Sequence, residues 1–255
     1  MNQSPYLDQP KEAWLQITER LIETHPLEPV VILDAVLTAW HTLWETSIGT
    51  AENAFPLQEM ALPAQVTGFF FEKLLATVLK NKTQEKWRGG SEKFERDLVF
   101  LENPKFSIEL KTSGQLGLKL FGNRSYGKQL EENPKIHKVD RSGYFITVNF
   151  HGSTLSLVRF GWIDHEDWVS QKSETGQASS LKEDTYTYKL IPILGDYQRA
   201  ANIGILKGVG AKMLENLQKQ KIITIAQLLN HPSTDSKIEK LKRTAIAWLG
   251  SGRFD

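Results

Sequence analysis

The stretch KFSIELKTS, residues 105–113, decides the fold of this 255-residue chain, because apolar and polar residues alternate along it. Such alternation predicts a β-strand, in which every second side chain points to the same face. The apolar face carries Phe106, Ile108 and Leu110, and the polar face carries Ser107, Glu109 and Lys111. A carboxylate and an ammonium group are thereby directed to one place.

The preceding segment, FERDLVFLE at 94–102, is joined to this strand by Asn103-Pro104 and also reads as a strand. Asparagine followed by proline favours a turn, so we expect the two strands to pair as a hairpin. Asp97 stands at the start of the first strand. Pairing across the turn brings Asp97 near Glu109.

The hairpin therefore combines Asp97, Glu109 and Lys111, and these residue types point to a hard-metal site. Two neighbouring carboxylates repel each other unless a cation lies between them, and Mg²⁺ accepts one or two carboxylates while keeping several waters. Bound Mg²⁺ stabilises the charge that develops on a phosphodiester, and a nearby lysine can hold the phosphate or activate water. The alternative is a solvated strand face, since charged residues are common in any chain.

Further strands are predicted downstream. Residues 143–150 and 153–163 predict a second hairpin with its turn at His151-Gly152, and 186–194 predict another strand. Residues 170–185 are polar enough to form a loop or an exposed helix. The sheet is expected to be mixed.

Helices are predicted before the sheet, over 11–24, 30–46 and 67–80, from apolar residues at helical spacing. Gly49 would end the second helix, and Thr67 would cap the third. The predicted fold class is α/β, of the α+β kind: a mixed sheet flanked by helices.

Composition and charge exclude several classes of protein. The chain has no cysteine, so disulfides, zinc-thiolate sites, iron–sulfur clusters and cysteine nucleophiles are excluded. The start of the chain has no basic, apolar leader and no segment is apolar enough to span a bilayer, so we expect a cytoplasmic protein without a membrane partner.

The net charge is +1, but residues 1–79 carry −7, 80–141 carry +5 and 142–255 carry +3. Basic segments of this kind suit a polyanion on one face, or are solvated surface.

A glycine turn marks the carboxyl-terminal part. Gly208-Val209-Gly210 lies between two short helical patterns within 200–229, with Lys207 and Lys212 beside it. The segment resembles a helix-hairpin-helix motif, which implies that backbone amides and these lysines hold DNA phosphates without reading bases. The alternative is a plain helical hairpin that packs internally.

The pattern of Asp97, Glu109, one residue and Lys111 resembles the PD-(D/E)xK nuclease superfamily. Glu72, the one carboxylate of the apolar stretch GFFFEKLL, matches an acidic residue that this superfamily often adds from the helix before the hairpin. Arg96 stands where the superfamily motif often has proline, which is a departure from the pattern.

Two further segments make the resemblance more specific. KTSGQLGLKLFGNRSYG at 111–127 is similar to the stretch after the catalytic lysine in EcoRV-like restriction endonucleases. Together with GFFFEKLL and RFGWIDHEDW (159–168), it resembles the ScaI-type restriction endonucleases over about residues 55–195. The implied organisation is a helical region at 1–54, a nuclease core at 55–195 and a helix-hairpin-helix region at 196–255.

The resemblance implies a type II restriction endonuclease that hydrolyses double-stranded DNA with Mg²⁺ at a short palindromic site, leaving blunt ends. It also implies a homodimer, a prokaryotic cytoplasm and a cognate DNA methyltransferase in the same system. Asp97, Glu109 and Glu72 would hold Mg²⁺, and Lys111 would position or activate water. The expected DNA-binding residues are Thr112, Ser113, Gln115, Lys119, Asn123, Arg124, Lys128, Lys207, Gly208, Val209, Gly210 and Lys212.

Two other functions stay open at this point: a repair or structure-selective nuclease of the same fold, and a non-catalytic DNA-binding protein. The tryptophans of RFGWIDHEDW, Trp162 and Trp168, are interpreted as core anchors rather than DNA contacts. His165 is not expected to bind zinc, and His41 on the second helix is expected to be a packing residue.

Overall fold

The computed structural model describes residues 3–92, 94–123, 126, 141–170, 178–232 and 235–254. In this part of the chain the helices are α1 (Trp14–Glu23), α2 (Pro29–Glu45), α3 (Ala64–Lys82), α4 (Ala211–Lys219), α5 (Ile225–Asn230) and α6 (Ser236–Ser251). The strands are β1 (Ser47–Ile48), β2 (Phe55–Pro56), β3 (Trp87–Gly89), β4 (Leu98–Phe100), β5 (Ile108–Ser113), β6 (Phe121–Asn123), β7 (Gly143–His151), β8 (Thr154–Ile163), β9 (Trp168–Ser170), β10 (Ala178–Leu181) and β11 (Leu190–Pro192). The predicted α+β class is confirmed.

The main sheet of the described residues has six strands in the order β11-β8-β7-β5-β4-β3. β5 runs parallel to β7, and the other neighbours are antiparallel, so the sheet is mixed as predicted. Both predicted hairpins are present: Leu98 pairs with Ile108 in the first, and Gly152 turns the second with a φ of +58°. Glycine suits this turn because a side chain disfavours positive φ.

Three of the predicted strands are shortened by the structure, and one segment predicted as a loop or helix contains a strand. The strand expected over 105–113 begins at Ile108, because Pro104–Phe106 forms a 3-10 turn, so Phe106 is not part of the strand. The first strand is confined to β4 and does not extend over 94–102. The segment 186–194 forms a strand only over Leu190–Pro192, because Thr185–Lys189 makes a π-helical turn that buries the Lys189 ammonium against Asp164. Ala178–Leu181 is a strand rather than a loop or helix, and it lies between β6 and β9.

The three predicted helices are present, but Gly49 does not end the second helix and Thr67 does not cap the third. α2 ends at Glu45, and Gly49 lies beyond it in a separate turn. α3 begins after Pro63, and the predicted cap Thr67 is a buried residue inside the helix. Proline precedes the helix at no cost, since the first helical turn leaves backbone N–H groups without intrahelical partners in any case.

Three apolar clusters of the described residues organise the packing. The largest joins α1, α2 and α3 to one face of the main sheet, with Trp40 packed between Phe71 and Phe150. A second joins the carboxyl-terminal helices around the fully buried Trp248 and reaches β8 through Leu157. A third packs Tyr126 and Phe145 with Trp168 of β9. In the described part of the chain, no helix is long and apolar enough to cross a membrane.

The structure confirms the predicted burial of the two tryptophans but not the predicted role of His41. Trp162 and Trp168 are buried core residues, as predicted. His41 is exposed, so its prediction as a packing residue is wrong. The buried histidine is His25, which lies among aromatic rings between α1 and α2.

Candidate active site

Glu109 and Lys111 occupy the centre of the main sheet, on β5. Their side chains share one face, and the Lys111 Nζ lies 3.0 Å from the Glu109 Oε1. β5 pairs with β7 over its whole length, whereas β4 pairs with it only at Ile108, so the backbone that carries both groups is fixed by sheet hydrogen bonds on the β7 side. The two residues that the sequence placed on one strand face are therefore in direct contact.

Asp97 is held against the same strand. It directly precedes β4, and its Oδ2 accepts a hydrogen bond of 2.7 Å from the backbone N–H of Leu110. This bond, together with the pairing of Leu98 with Ile108, ties the carboxylate to the strand that carries Glu109. The structure thus brings together the pair that the sequence predicted.

The two carboxyl groups oppose each other electrostatically. Burial, and next the charge of Glu109, raise the pKa of Asp97 to about 6, although Lys111 and the Leu110 N–H act in the other direction. A carboxyl group whose ionisation is opposed by another carboxylate favours a cation beside it. The site is therefore chemically suited to a hard cation.

Glu109 is the better stabilised of the two carboxylates. Burial opposes its ionisation, but Lys111, the Tyr126 hydroxyl and Arg96 together hold its pKa below the ordinary value. Tyr126 donates a hydrogen bond of 2.5 Å to Oε1, and a guanidinium nitrogen of Arg96 lies 3.6 Å from Oε2. Glu109 is consequently ionised while Asp97 titrates nearer neutrality.

Lys111 is a buried cation with several partners. Burial alone would lower the pKa of Lys111, but Glu109, Tyr126 and Asp97 raise it above its usual value. Its Nζ also lies 4.8 Å from the centre of the Tyr126 ring. Lys111 is therefore present as the ammonium form.

Glu72 projects from α3 near this site. Its charge contributes to the raised pKa of Asp97, so it lies within electrostatic range, and its carboxylate pairs with Lys73 at 2.7 Å. α3 approaches β5 closely, since a Cβ on Gly68 would lie 2.4 Å from the Thr112 hydroxyl oxygen. The glycine allows this approach.

Tyr126, Arg96 and Arg141 are site residues that sequence reasoning missed. Arg141 donates a hydrogen bond of 3.3 Å to the Tyr126 hydroxyl. In the sequence, Arg96 was recognised only as a departure from the superfamily motif. Its position next to Asp97 in the sequence could have predicted that it lies at the acidic site. Tyr126 and Arg141 gave no signal, because both reach the site only through the fold.

A metal would have to be held by the carboxylates of Asp97 and Glu109, with Glu72 nearby. Their oxygen atoms are the donors that Mg²⁺ prefers, and their mutual repulsion would be relieved by a divalent cation. No group of three or more acidic, histidine or cysteine side chains has metal-binding geometry within the described ranges. A two-carboxylate site completed by water is the arrangement that fits.

The predicted DNA-binding residues after Lys111 are not all on the surface. Ser113 is buried and Thr112 faces Gly68 of α3, whereas Gln115 and Lys119 are exposed. Lys119 pairs with Glu183 at 3.2 Å. Asn123 belongs to β6 and pairs through its backbone with Ala178, and the predicted contacts Arg124 and Lys128 lie outside the described residues.

The glycine turn near the carboxyl end has the expected backbone. Gly208 has a φ of +95°, and Gly210 directly precedes α4. Lys207, Gly208, Gly210 and Lys212 are exposed, while Val209 is half-buried. The segment before the turn is a 3-10 turn, Ile203–Ile205, rather than the expected short helix.

The fold and site define a class: a mixed sheet flanked by helices, with two carboxylates and a lysine at its centre, is a restriction-endonuclease-like core. The model of the ScaI restriction endonuclease family matches residues 4–194. The type II restriction enzyme ScaI of Streptomyces caespitosus is 36% identical over 205 residues, which are 77% of this chain and 87% of that protein.

The chain therefore belongs to the ScaI restriction endonuclease family. The predicted class, a type II restriction endonuclease, is confirmed, and the alternatives of a repair nuclease and a non-catalytic DNA-binding protein are disfavoured. The family match begins at residue 4, well before residue 55, where the sequence resemblance was expected to start. α1 and α2 are thus part of the matched region.

Proposed function

We propose that this protein hydrolyses phosphodiester bonds of double-stranded DNA at a short palindromic site in a Mg²⁺-dependent reaction that leaves blunt ends. The observation that carries the proposal is the Asp97–Glu109 pair, in which burial and the second carboxylate raise the pKa of Asp97 to about 6. Two carboxylates that repel each other beside a lysine form a ready site for a divalent cation and a phosphate.

Each residue of the pair and its neighbours has a separate task. Asp97 and Glu109 would hold Mg²⁺, with Glu72 completing the acidic site. When bound, Mg²⁺ supplies stabilisation of the charge that develops on the scissile phosphate and lowers the pKa of a bound water.

The cations contribute in other ways. The Lys111 ammonium donates to a phosphate oxygen or orients the attacking water, because it is kept protonated by Glu109. Tyr126 fixes the Glu109 carboxylate through its hydroxyl group.

We infer that the enzyme acts as a homodimer. The described residues of one chain form one such site, and cutting both strands of a palindrome is simplest with two sites related by a two-fold axis. The described surface exposes several apolar side chains around the start of α3 that could form the contact: Phe55, Met60, Val66, Phe69 and Phe70. A cognate DNA methyltransferase would protect the host site, as a functional rather than a physical partner.

The carboxyl-terminal glycine turn is proposed to add DNA affinity without sequence choice. The positive φ of Gly208 and the exposed Lys207 and Lys212 support this role, since backbone amides that open a helix attract phosphates. Val209 would serve as the apolar anchor of the turn.

The decisive experiment is digestion of a long DNA of known sequence with and without Mg²⁺, followed by sequencing of the fragment ends. We expect fixed, symmetric, blunt ends that require the metal. Random ends, or equal cutting in EDTA, would contradict the proposal. Size measurement of the protein with and without cognate DNA tests the dimer in the same preparation.

A further inference from the structure

A cleft of about 610 Å³ is lined by residues of the main sheet and of the carboxyl-terminal part, and neither Glu109 nor Lys111 lines it. Its lining combines basic and aromatic side chains, Lys119, Arg159, Arg253, Tyr186 and Phe254, with a single acidic one, Glu183. Glu183 is exposed and already paired with Lys119 at 3.2 Å. The cleft therefore carries a net positive charge.

Arg159 is the unusual member of this cleft. It is 5% exposed, yet its described hydrogen bonds go to neutral acceptors, the Asn149 side-chain oxygen at 2.8 Å and the Leu118 carbonyl oxygen at 3.1 Å. Its guanidinium carbon lies 5.4 Å from the centre of the Tyr186 ring. Buried arginines are ordinarily paired with carboxylates, and none of the described carboxylates pairs with this one.

The electrostatics of Arg159 agree with this geometry. The pKa of Arg159 is lowered to about 10, chiefly by burial; Tyr186 and Tyr197 act in the opposite direction, and the charge of Arg253 adds a smaller decrease. Two guanidinium groups that repel each other at one cleft favour an anion between them, just as two carboxylates favour a cation.

Arg253 is brought to the cleft by the end of α6. Gly252 follows that helix with a φ of +65°, and a Cβ at this position would lie 2.5 Å from Pro192. The glycine lets the chain turn closely over β11, so Arg253 reaches the cleft, where one guanidinium nitrogen lies 3.4 Å from the Leu190 carbonyl oxygen. Its buried Nε makes no hydrogen bond to any described residue.

Arg159 lies on the same face of the main sheet as Lys111. Arg159 pairs with Thr147 across β8 and β7, and Thr147 pairs with Lys111 across β7 and β5. Arg159 is therefore two strands from Lys111, or roughly 10 Å at the usual strand spacing. The Thr147 hydroxyl between them is buried and has no described hydrogen-bond partner.

We propose that this cleft is a second phosphate-binding site, in which Arg159 and Arg253 hold one phosphate group. The planar guanidinium groups suit a phosphate because each can donate two parallel hydrogen bonds to it. The phosphate is either a backbone phosphate of bound DNA or a free phosphate ion. The first alternative rests on the proposed function.

The test compares Arg253→Gln with Lys105→Gln, which removes one positive charge at an exposed position outside the cleft. The first measurement is the melting temperature in inorganic phosphate against sodium chloride of equal ionic strength. The second is the affinity for a 30-base-pair duplex without the cognate site over a series of salt concentrations, without Mg²⁺.

If the source is DNA, Arg253→Gln lowers the slope of log affinity against log salt by about one relative to Lys105→Gln. If the source is a free phosphate, the slope is unchanged, but the stabilisation by inorganic phosphate is lost in Arg253→Gln alone. Either result supports the site. Equal slopes together with equal phosphate stabilisation in both variants overturn it.

Arg159→Lys serves as the second variant, because it keeps the charge and removes the planar fork. We expect a lower duplex affinity at one salt concentration, or a smaller stabilisation by inorganic phosphate, while the salt slope and the circular dichroism spectrum stay those of the wild type. Complete absence of duplex binding by the wild type would instead count against the proposed function, and the phosphate measurement would then decide on the cleft alone.

Discussion

The hydroxyl of Tyr126 lies 2.5 Å from the Oε1 of Glu109, so a residue 17 positions downstream orients the central carboxylate of the candidate active site. The same oxygen receives the Lys111 ammonium at 3.0 Å. Both donors favour the ionised form of Glu109, the form that can bind a metal. The site is thus a hydrogen-bonded unit rather than a set of independent charges.

Tyr126→Phe should therefore weaken catalysis without removing it. Loss of one hydrogen bond to a charged group costs about 1.5–3 kcal/mol, or a rate decrease of roughly 10- to 150-fold. The single-turnover rate at saturating Mg²⁺ measures this loss. Tyr188→Phe, whose hydroxyl makes no described hydrogen bond, is the control, and a Tyr126→Phe rate equal to that of the control would refute the role.

Glu109→Gln or Asp97→Asn should abolish cleavage while DNA binding is retained or tightened. Each change removes a metal-binding carboxylate and also removes repulsion of the DNA phosphates. Lys111→Ala should lower the rate and leave the need for metal. The measurements are plasmid cleavage and gel-shift affinity, with Glu102→Gln as control because Glu102 lies on the same hairpin, paired with Lys86 at the surface. Unimpaired cleavage by Glu109→Gln would show that the active site lies elsewhere.

Metal affinity should fall as the pH drops through about 6. The pKa of Asp97 is raised to about 6, so below this pH the folded protein carries a proton that the metal must displace. The affinity should decrease up to about tenfold per pH unit there, measured by calorimetric titration with Mg²⁺. Glu109→Gln removes the negative charge that is the second-largest cause of the raised pKa of Asp97. The midpoint of proton uptake by Asp97 should therefore move to lower pH in this variant. A midpoint that stays in place would contradict the coupling.

Gly68→Ala should destabilise the protein because the new Cβ would lie 2.4 Å from the Thr112 hydroxyl oxygen. The expected loss is about 1–3 kcal/mol of unfolding free energy, as for other overpacked contacts. The companion variant is Thr112→Ala, which removes the obstructing oxygen. In that background Gly68→Ala should be neutral or stabilising, by up to about 1 kcal/mol from helix propensity. Urea unfolding of the four proteins tests this, and additive effects would mean that the two residues do not touch.

Stability should decline as the pH falls below about 6.5, in part through His25. Burial lowers the pKa of His25 in the folded state, and its ring fits the neutral form, since Nδ1 accepts the Leu27 N–H at 3.1 Å and Nε2 faces the Phe106 carbonyl oxygen at 3.0 Å. The unfolded chain therefore binds a proton that the folded protein resists, at a cost of up to about 1.4 kcal/mol per pH unit.

His25→Phe should be less stable at every pH, because it leaves Leu27 N–H and the Phe106 carbonyl unpaired, but its stability should depend less on pH between 7.5 and 5.5. Thermal unfolding across this range measures the slope. His41→Gln on the exposed side of α2 is the matched control and should keep the wild-type slope. An equal slope in His25→Phe would assign the acid sensitivity to other groups.

The sequence by itself determined the hairpin and its chemistry. The two-residue side-chain period of a strand puts Glu109 and Lys111 on one face, whatever the rest of the molecule does, and the Asn103-Pro104 turn brings Asp97 back toward them. Local backbone geometry is sufficient for such a result. The class of enzyme followed from these residues and their flanking motifs, and the family match confirms it.

Only the tertiary structure decided which residues complete the site and which are buried. Tyr126 contacts Glu109, and Arg141 contacts Tyr126, although these residues lie in distant segments of the sequence. The pairing of β7 with both β5 and β8 places Arg159 two strands away from Lys111. Periodicity cannot show such neighbours, because it describes only one element at a time. Burial likewise depends on which residues of other elements pack against a side chain. His25, in the connection between α1 and α2, is enclosed by aromatic rings, whereas His41, on the apolar helix α2, faces solvent.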